Sequence, residues 1–120
     1  MFNFEKLDAW QLAIDFADLT YRISKDFPTD ERFGLTSQLR KAAVSISSNL
    51  AEGNGRASAK DFAHFIQISF GSLMECVSQL TIAKRQRYLS DEGYREAYET
   101  AERLGKVLSG LRRSIHPSDH

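Results

Sequence analysis

The stretch Gln38 to Arg56, QLRKAAVSISSNLAEGNGR, constrains the fold more than any other part of the chain. Leu39, Ala42, Ala43, Ile46 and Leu50, with Leu35 ahead of them, recur at spacings of three and four and make one apolar helical stripe. Ala42, Ala43, Ser45, Ser48 and Ala51 keep much of the remaining girth small, so neighbouring elements can approach closely. Gly53 is expected to cap the helix without a Cβ penalty, and Asn54-Gly55 to continue the turn. The stretch reads as the central stave of a helical bundle.

The rest of the chain supplies three more staves. Periodicity and punctuation predict helices over about residues 7–26, 35–53, 58–88 and 90–115. Phe27-Pro28 ends the first, because the residue before proline disfavours helical backbone. Thr29 to Arg32 is expected to form a short turn capped by Thr29, with Gly34 as a break. Ser58 opens the third helix, whose inward face is Phe62, Phe65, Ile66, Ser69, Phe70, Leu73, Val77 and Leu80. Gly71 lies mid-helix at a cost of ~1 kcal/mol, so another helix is expected to come close there. Ser90 caps the fourth helix, Tyr94, Ala97, Tyr98, Ala101, Leu104, Leu108 and Leu111 provide its stripe, and Pro117 stops it before a frayed tail. No stretch alternates apolar and polar residues, so no strand is predicted. Four helices with short connections make an all-α, antiparallel up-down-up-down four-helix bundle in a single domain.

The first helix has two apolar stripes. Leu7, Trp10, Ile14, Ala17 and Tyr21 form one; Leu12, Phe16, Leu19 and Ile23 form the other, read as lying on the opposite side. The second stripe is therefore expected to be an oligomer interface. Burying its four side chains contributes roughly 6–12 kcal/mol against an association cost of ~4–15 kcal/mol, and a symmetric ring gives each protomer two such contacts.

Sixteen basic and sixteen acidic residues cancel, which argues against bulk attraction to nucleic acid or membrane and leaves only local patches. Arg32, Arg40 and Lys41 are expected near the end where Lys84, Arg85 and Arg87 finish the third helix. Arg56, Lys60, Arg112 and Arg113 are expected at the other end. These ten residues are the candidate surface for RNA or a protein partner. Ser45, Asn49, Glu52 and Glu75, with Arg40 beside them, are expected to form a structural polar network between packed helices.

Catalytic chemistry finds little support. Asp61 and His64 are the only acid–histidine pair at the spacing a di-metal bundle needs; His116 and His120 lie at the tail. The lone Cys76 cannot form an internal disulfide or a cysteine-based zinc site, and it stands twelve residues from His64 on one helix, about 18 Å away. Ser45, Ser47 and Ser48 have no histidine nearby in sequence, and Gly53 to Arg56 completes neither Gly-rich nucleotide fingerprint. No enzyme, cofactor or metal is expected. The charged opening MFNFEKLDAW is not a signal peptide, and no run spans a membrane, so a cytoplasmic location is expected.

Several linked motifs, in this order, resemble one bacterial family. They are Leu7 and Trp10, Phe27-Pro28, Phe33-Gly34-Leu35, Gln38 to Ile46, Asn49 to Gly53, Gly55-Arg56, Phe62 to Phe65, and Gly71-Ser72 with Glu75. The chain resembles the 23S rRNA intervening-sequence proteins, also called four helix bundle proteins, over nearly its full length. The resemblance implies a homopentamer of four-helix bundles, like the related accessory variability determinant of diversity-generating retroelements. That relative is basic and works with nucleic acid, whereas this chain has no formal net charge. The expected function is a non-enzymatic homo-oligomeric scaffold that recruits a protein and RNA. The alternative is a nucleic-acid-binding accessory protein.

Overall fold

A computed structural model of the protein describes residues 1–115. The expected stop at Pro117, the tail, and His116 and His120 lie outside the described residues. Four helices follow one another: α1 (Asp8–Ser24), α2 (Leu35–Asn54), α3 (Ala59–Arg85) and α4 (Asp91–Ser114). Short 3-10 turns occupy Asn3–Lys6 and Thr29–Glu31, and no strand occurs among the described residues.

The helix ends have identifiable chemistry. Ser58 Oγ accepts the Asp61 N–H at 3.1 Å and Ser90 Oγ the Gly93 N–H at 3.0 Å, satisfying donors that an α-helix leaves unpaired. Thr29 does not cap; the Glu31 carboxylate instead accepts the Leu35 N–H at 3.1 Å. α3 stops at Arg85, three residues short of the expected end. Arg87 turns left-handed at φ 64°, and the Tyr88 N–H reaches back to the Ala83 carbonyl at 2.9 Å. An arginine in that conformation carries none of glycine's signal, so the sequence ran the helix on.

Each helix packs on the next, and α1 closes on α4, within an envelope of 47 × 24 × 23 Å; the α2–α3 contact is the most extensive. Leu39, Ile46 and Leu50 meet Ile66, Leu73 and Leu80 in a core shared with Leu104 and Leu108, all essentially without solvent exposure. Ser69 Oγ, buried on α3, donates to the Ile46 carbonyl of α2 at 2.9 Å.

The outward assignment of the Leu12, Phe16, Leu19 and Ile23 stripe is wrong. Phe16 is 0% exposed, Leu12 and Leu19 are 8% and 7% exposed, and Ile23 is half-buried against the core. Surface already removed from water within the protomer cannot be buried again by a partner. Ala9 and Ala13, two turns and one turn before Phe16, are buried with it, and Thr20 satisfies its own hydroxyl on the Phe16 carbonyl at 2.9 Å. Leu7, Trp10, Ile14 and Ala17 form the half-buried side instead, with Phe4 edge-on to Trp10 at 5.1 Å and Tyr21 left 42% exposed.

Two glycines exchange their expected roles. Gly53 is buried inside α2, not beyond its end, and a Cβ there would overlap Phe65 Cβ and lie 3.2 Å from Phe62 Cδ1. Close packing of α3 on the last turn of α2 therefore requires it. Gly71, where close approach was expected, has nothing within 4 Å of a Cβ position. Gly53→Ala should lower stability by up to about 2 kcal/mol, the overpacking cost of ~1–3 kcal/mol outweighing the helix-propensity gain of ~1 kcal/mol. Thermal melting followed by circular dichroism checks this; an unchanged or higher midpoint would contradict the close packing.

Candidate functional site

The basic residues do not gather as two end clusters. Arg32, Arg40 and Lys41 line a cleft of about 600 Å³ over α1 and the start of α2, together with Tyr21, Phe33 and Thr36. Arg40 is held in place: its Nε donates to Ser24 Oγ at 2.8 Å, its terminal nitrogen to the Tyr21 carbonyl at 3.4 Å, and its guanidinium lies 4.7 Å from the Tyr21 ring centre. The Arg32 guanidinium lies 4.9 Å from the centre of the Phe33 ring, which is 87% exposed. No carboxylate lines this cleft. The adjacent Glu31 spends its oxygens on the Leu35 N–H and the Tyr88 hydroxyl.

Lys84, Arg85 and Arg87 line a different cleft, beside Asp91 and Tyr94, where Lys84 Nζ sits 4.6 Å from the Tyr94 ring centre. At the other end the cations disperse. Arg56 pairs with Glu52 at 2.7 Å and lies 4.9 Å from the Phe65 ring centre. Arg112 borders Ile66 and Phe70, Arg113 borders the α3–α4 groove near Glu102 and Lys106, and Lys60 is exposed with no ion pair among the described residues.

The polar network is smaller than expected and differently made. Ser45 Oγ and Ser72 Oγ are 2.9 Å apart, joining α2 to α3, and Asn49 Nδ2 donates to the Ser45 carbonyl and hydroxyl at 2.8 and 2.9 Å. Glu52 turns to Arg56. Glu75 is exposed beside Lys41 and Gln79 without joining Ser45 or Asn49, and Arg40 is taken by α1. Ser72 was missed by sequence reading, because only the register between α2 and α3 brings it opposite Ser45.

Among the described residues no group of three His, Cys, Asp or Glu side chains comes together to hold a metal. His64 is exposed against Phe65. Cys76 is fully buried, and burial first, with the Glu75 charge adding, pushes its thiol up to about 12 from 9.0. The thiol is neutral in both folded and unfolded chains only well below the unfolded value, under pH ~7.5. As pH rises toward the folded value, the unfolded chain releases its proton first, so stability falls by up to ~1.4 kcal/mol per pH unit. Iodoacetamide at pH 8 should label Cys76 only after denaturation; rapid labelling of the native protein would contradict this burial.

An apolar groove of about 510 Å³ lies between α3 and α4, floored by Phe70, Val77, Ala101 and Gly105. Met74 and Tyr98 line it, 45% and 40% exposed, and elsewhere on α3 Ile68 and Ile82 are 37% and 48% exposed. Glu75 is the only formally charged residue between Asp61 and Lys84, whereas α4 carries charges through most of its length. No described helix is long and apolar enough to cross a membrane.

Comparison with known proteins bears on this arrangement. The family model described as 23S rRNA-intervening sequence protein matches residues 5–110. A solved structure from Bacteroides thetaiotaomicron, of a protein with unknown function from the S23 ribosomal protein family, superposes with a TM-score of 0.81 at 20% identity. It covers 88% of this chain and 95% of its own. No curated protein matches.

Proposed function

The chain belongs to the 23S rRNA-intervening sequence protein family, and we propose that it is a non-enzymatic homo-oligomeric scaffold that recruits a protein and structured RNA in the cytoplasm. In this reading the protomer is an antiparallel up-down-up-down bundle, repeated as a homopentameric ring. The contacts of Ser45 with Ser72, Ile46 with Ser69 and Gly53 with Phe65 support opposed directions for α2 and α3, since one number rises as the other falls. The subunit number follows from the family resemblance.

The observation that carries the scaffold reading is the outer side of α3. A solvent-facing helix normally carries a charged face, and depletion of charge with enrichment of apolar side chains marks an interface core. Here Ile68, Met74 and Ile82 stand exposed around Gly71, whose open space admits the close approach of another backbone. This surface replaces the α1 stripe as the self-association face. The native mass in solution tests the reading: a multiple of 13.6 kDa supports it, and the protomer mass refutes it.

A nucleic-acid-binding role has one observation in its favour, the acid-free cleft of Arg32, Arg40 and Lys41.

A further inference from the structure

We propose that the cleft over α1 and the start of α2 binds a nucleotide unit, its base stacked on Phe33 and its phosphate held by Arg32, Arg40 and Lys41. The inference deepens the RNA-recruiting part of the proposed function and does not require self-association, because every lining residue of the cleft comes from α1, α2 or the turn before α2.

Three properties of the cleft meet on this ligand. Three cations face a space of about 600 Å³ with no carboxylate among its lining residues, although the chain as a whole is neutral. Inside the cleft this positive charge meets no carboxylate, Glu75 approaching Lys41 only from the α3 side, and an anion is its natural complement. Glu31, the acid nearest in sequence, is committed to Leu35 and Tyr88.

Two aromatic rings border the same space, and each already carries a guanidinium on one face: Arg32 on Phe33 and Arg40 on Tyr21. Phe33 contributes no core packing, being 87% exposed, and a flat ring beside cations is the platform on which unpaired bases stack. An acidic peptide would use the cations and leave the ring idle. A base with its phosphate uses both.

Preorganisation is the third property. Arg40 is fixed by hydrogen bonds to Ser24 and Tyr21, so little side-chain freedom is lost when it meets a phosphate. Thr36, 7% exposed, also lines the cleft, while its hydroxyl oxygen is turned away from solvent and has no hydrogen-bond partner.

The test is fluorescence anisotropy with a labelled single-stranded decaribonucleotide, a duplex of the same sequence, and a fluorescent mononucleotide. Native protein should prefer the single strand over the duplex. Phe33→Ala should weaken single-strand binding about tenfold. Arg32→Ala and Lys41→Ala should each weaken it and flatten the dependence on salt by ~0.7 in log–log slope. Arg85→Ala, in the other basic cleft, should leave it unchanged. All four positions are exposed, and far-UV circular dichroism verifies that each variant is folded. Mononucleotide binding that also depends on Phe33 would support the same site with a free nucleotide as its source. Binding of RNA that ignores Phe33 and Arg32 but falls with Arg85→Ala would overturn the site while the nucleic-acid reading stands. No binding by the native protein would overturn both. A drop in oligomer mass on Phe33→Ala or Arg32→Ala, without loss of RNA affinity, would make the cleft a self-contact and overturn the proposal.

Discussion

Phe16→Ala lowers the free energy of unfolding by about 3–5 kcal/mol, the largest loss expected from any single truncation in α1. The ring is the bulkiest fully buried side chain among the described residues, and the alanines buried in the preceding turns of α1, Ala9 and Ala13, cannot expand to fill the space it leaves. A loss of that size is a large fraction of the total stability of a domain this long. The experiment is urea unfolding followed by circular dichroism, with the native slope retained. A loss below ~1 kcal/mol would mean that α1 turns its other stripe inward, with Phe16 on the surface after all. Phe16→Asp should be more severe still, because an unpaired carboxylate would be left in the core.

This result also marks where reading the sequence succeeded and where it failed. The apolar stripes of α2 and α4 were legible because each had one clearly apolar side and polar residues opposite. In α1 both sides are apolar, and hydropathy cannot rank them. The deciding terms are shape: Phe16 between alanines fits a core, whereas Trp10 and Tyr21 suit a half-buried border. Glycines misled for a related reason. Gly53 stands where a cap is common, yet its role is set by Phe65 on another helix, which no local pattern reveals. Gly71 looked like a packing site within the protomer and meets open space.

The charged site was partly legible. Arg32, Arg40 and Lys41 do share one cleft, since the short turn at Thr29–Glu31 leads into α2 and the helix period brings Arg40 and Lys41 to the side that Arg32 borders. Their aromatic companions were not foreseen, because Tyr21 arrives from α1. The end cluster of Arg56, Lys60, Arg112 and Arg113 was inferred from helix direction alone, and individual side-chain partners then dispersed it: Glu52 and Phe65 for Arg56, the α3–α4 groove for Arg113. In the polar network the hydroxyls of Ser45 and Ser72 bond each other, while the longer Glu52 and Glu75 side chains stay in solvent.

Gly71→Arg should abolish self-association while leaving the protomer folded. In the isolated helix the change is favourable by up to ~1 kcal/mol, because arginine is a far better helix former than glycine. Nothing in the protomer opposes it, since a Cβ at this position meets no atom within 4 Å. Across an interface built on Ile68, Met74 and Ile82 the same side chain would bring bulk and a charge into the contact, and ring symmetry would repeat the penalty at every junction. Stability of the fold and strength of assembly are thereby separated: one rises as the other is lost.

The most direct test of the scaffold account is the light-scattering mass of the native protein and of Gly71→Arg, measured side by side at one concentration. The account predicts a native mass five times the 13.6 kDa protomer, and a single protomer for the variant with its helical content intact. A native mass of one protomer, or a variant that keeps the native mass, would contradict it.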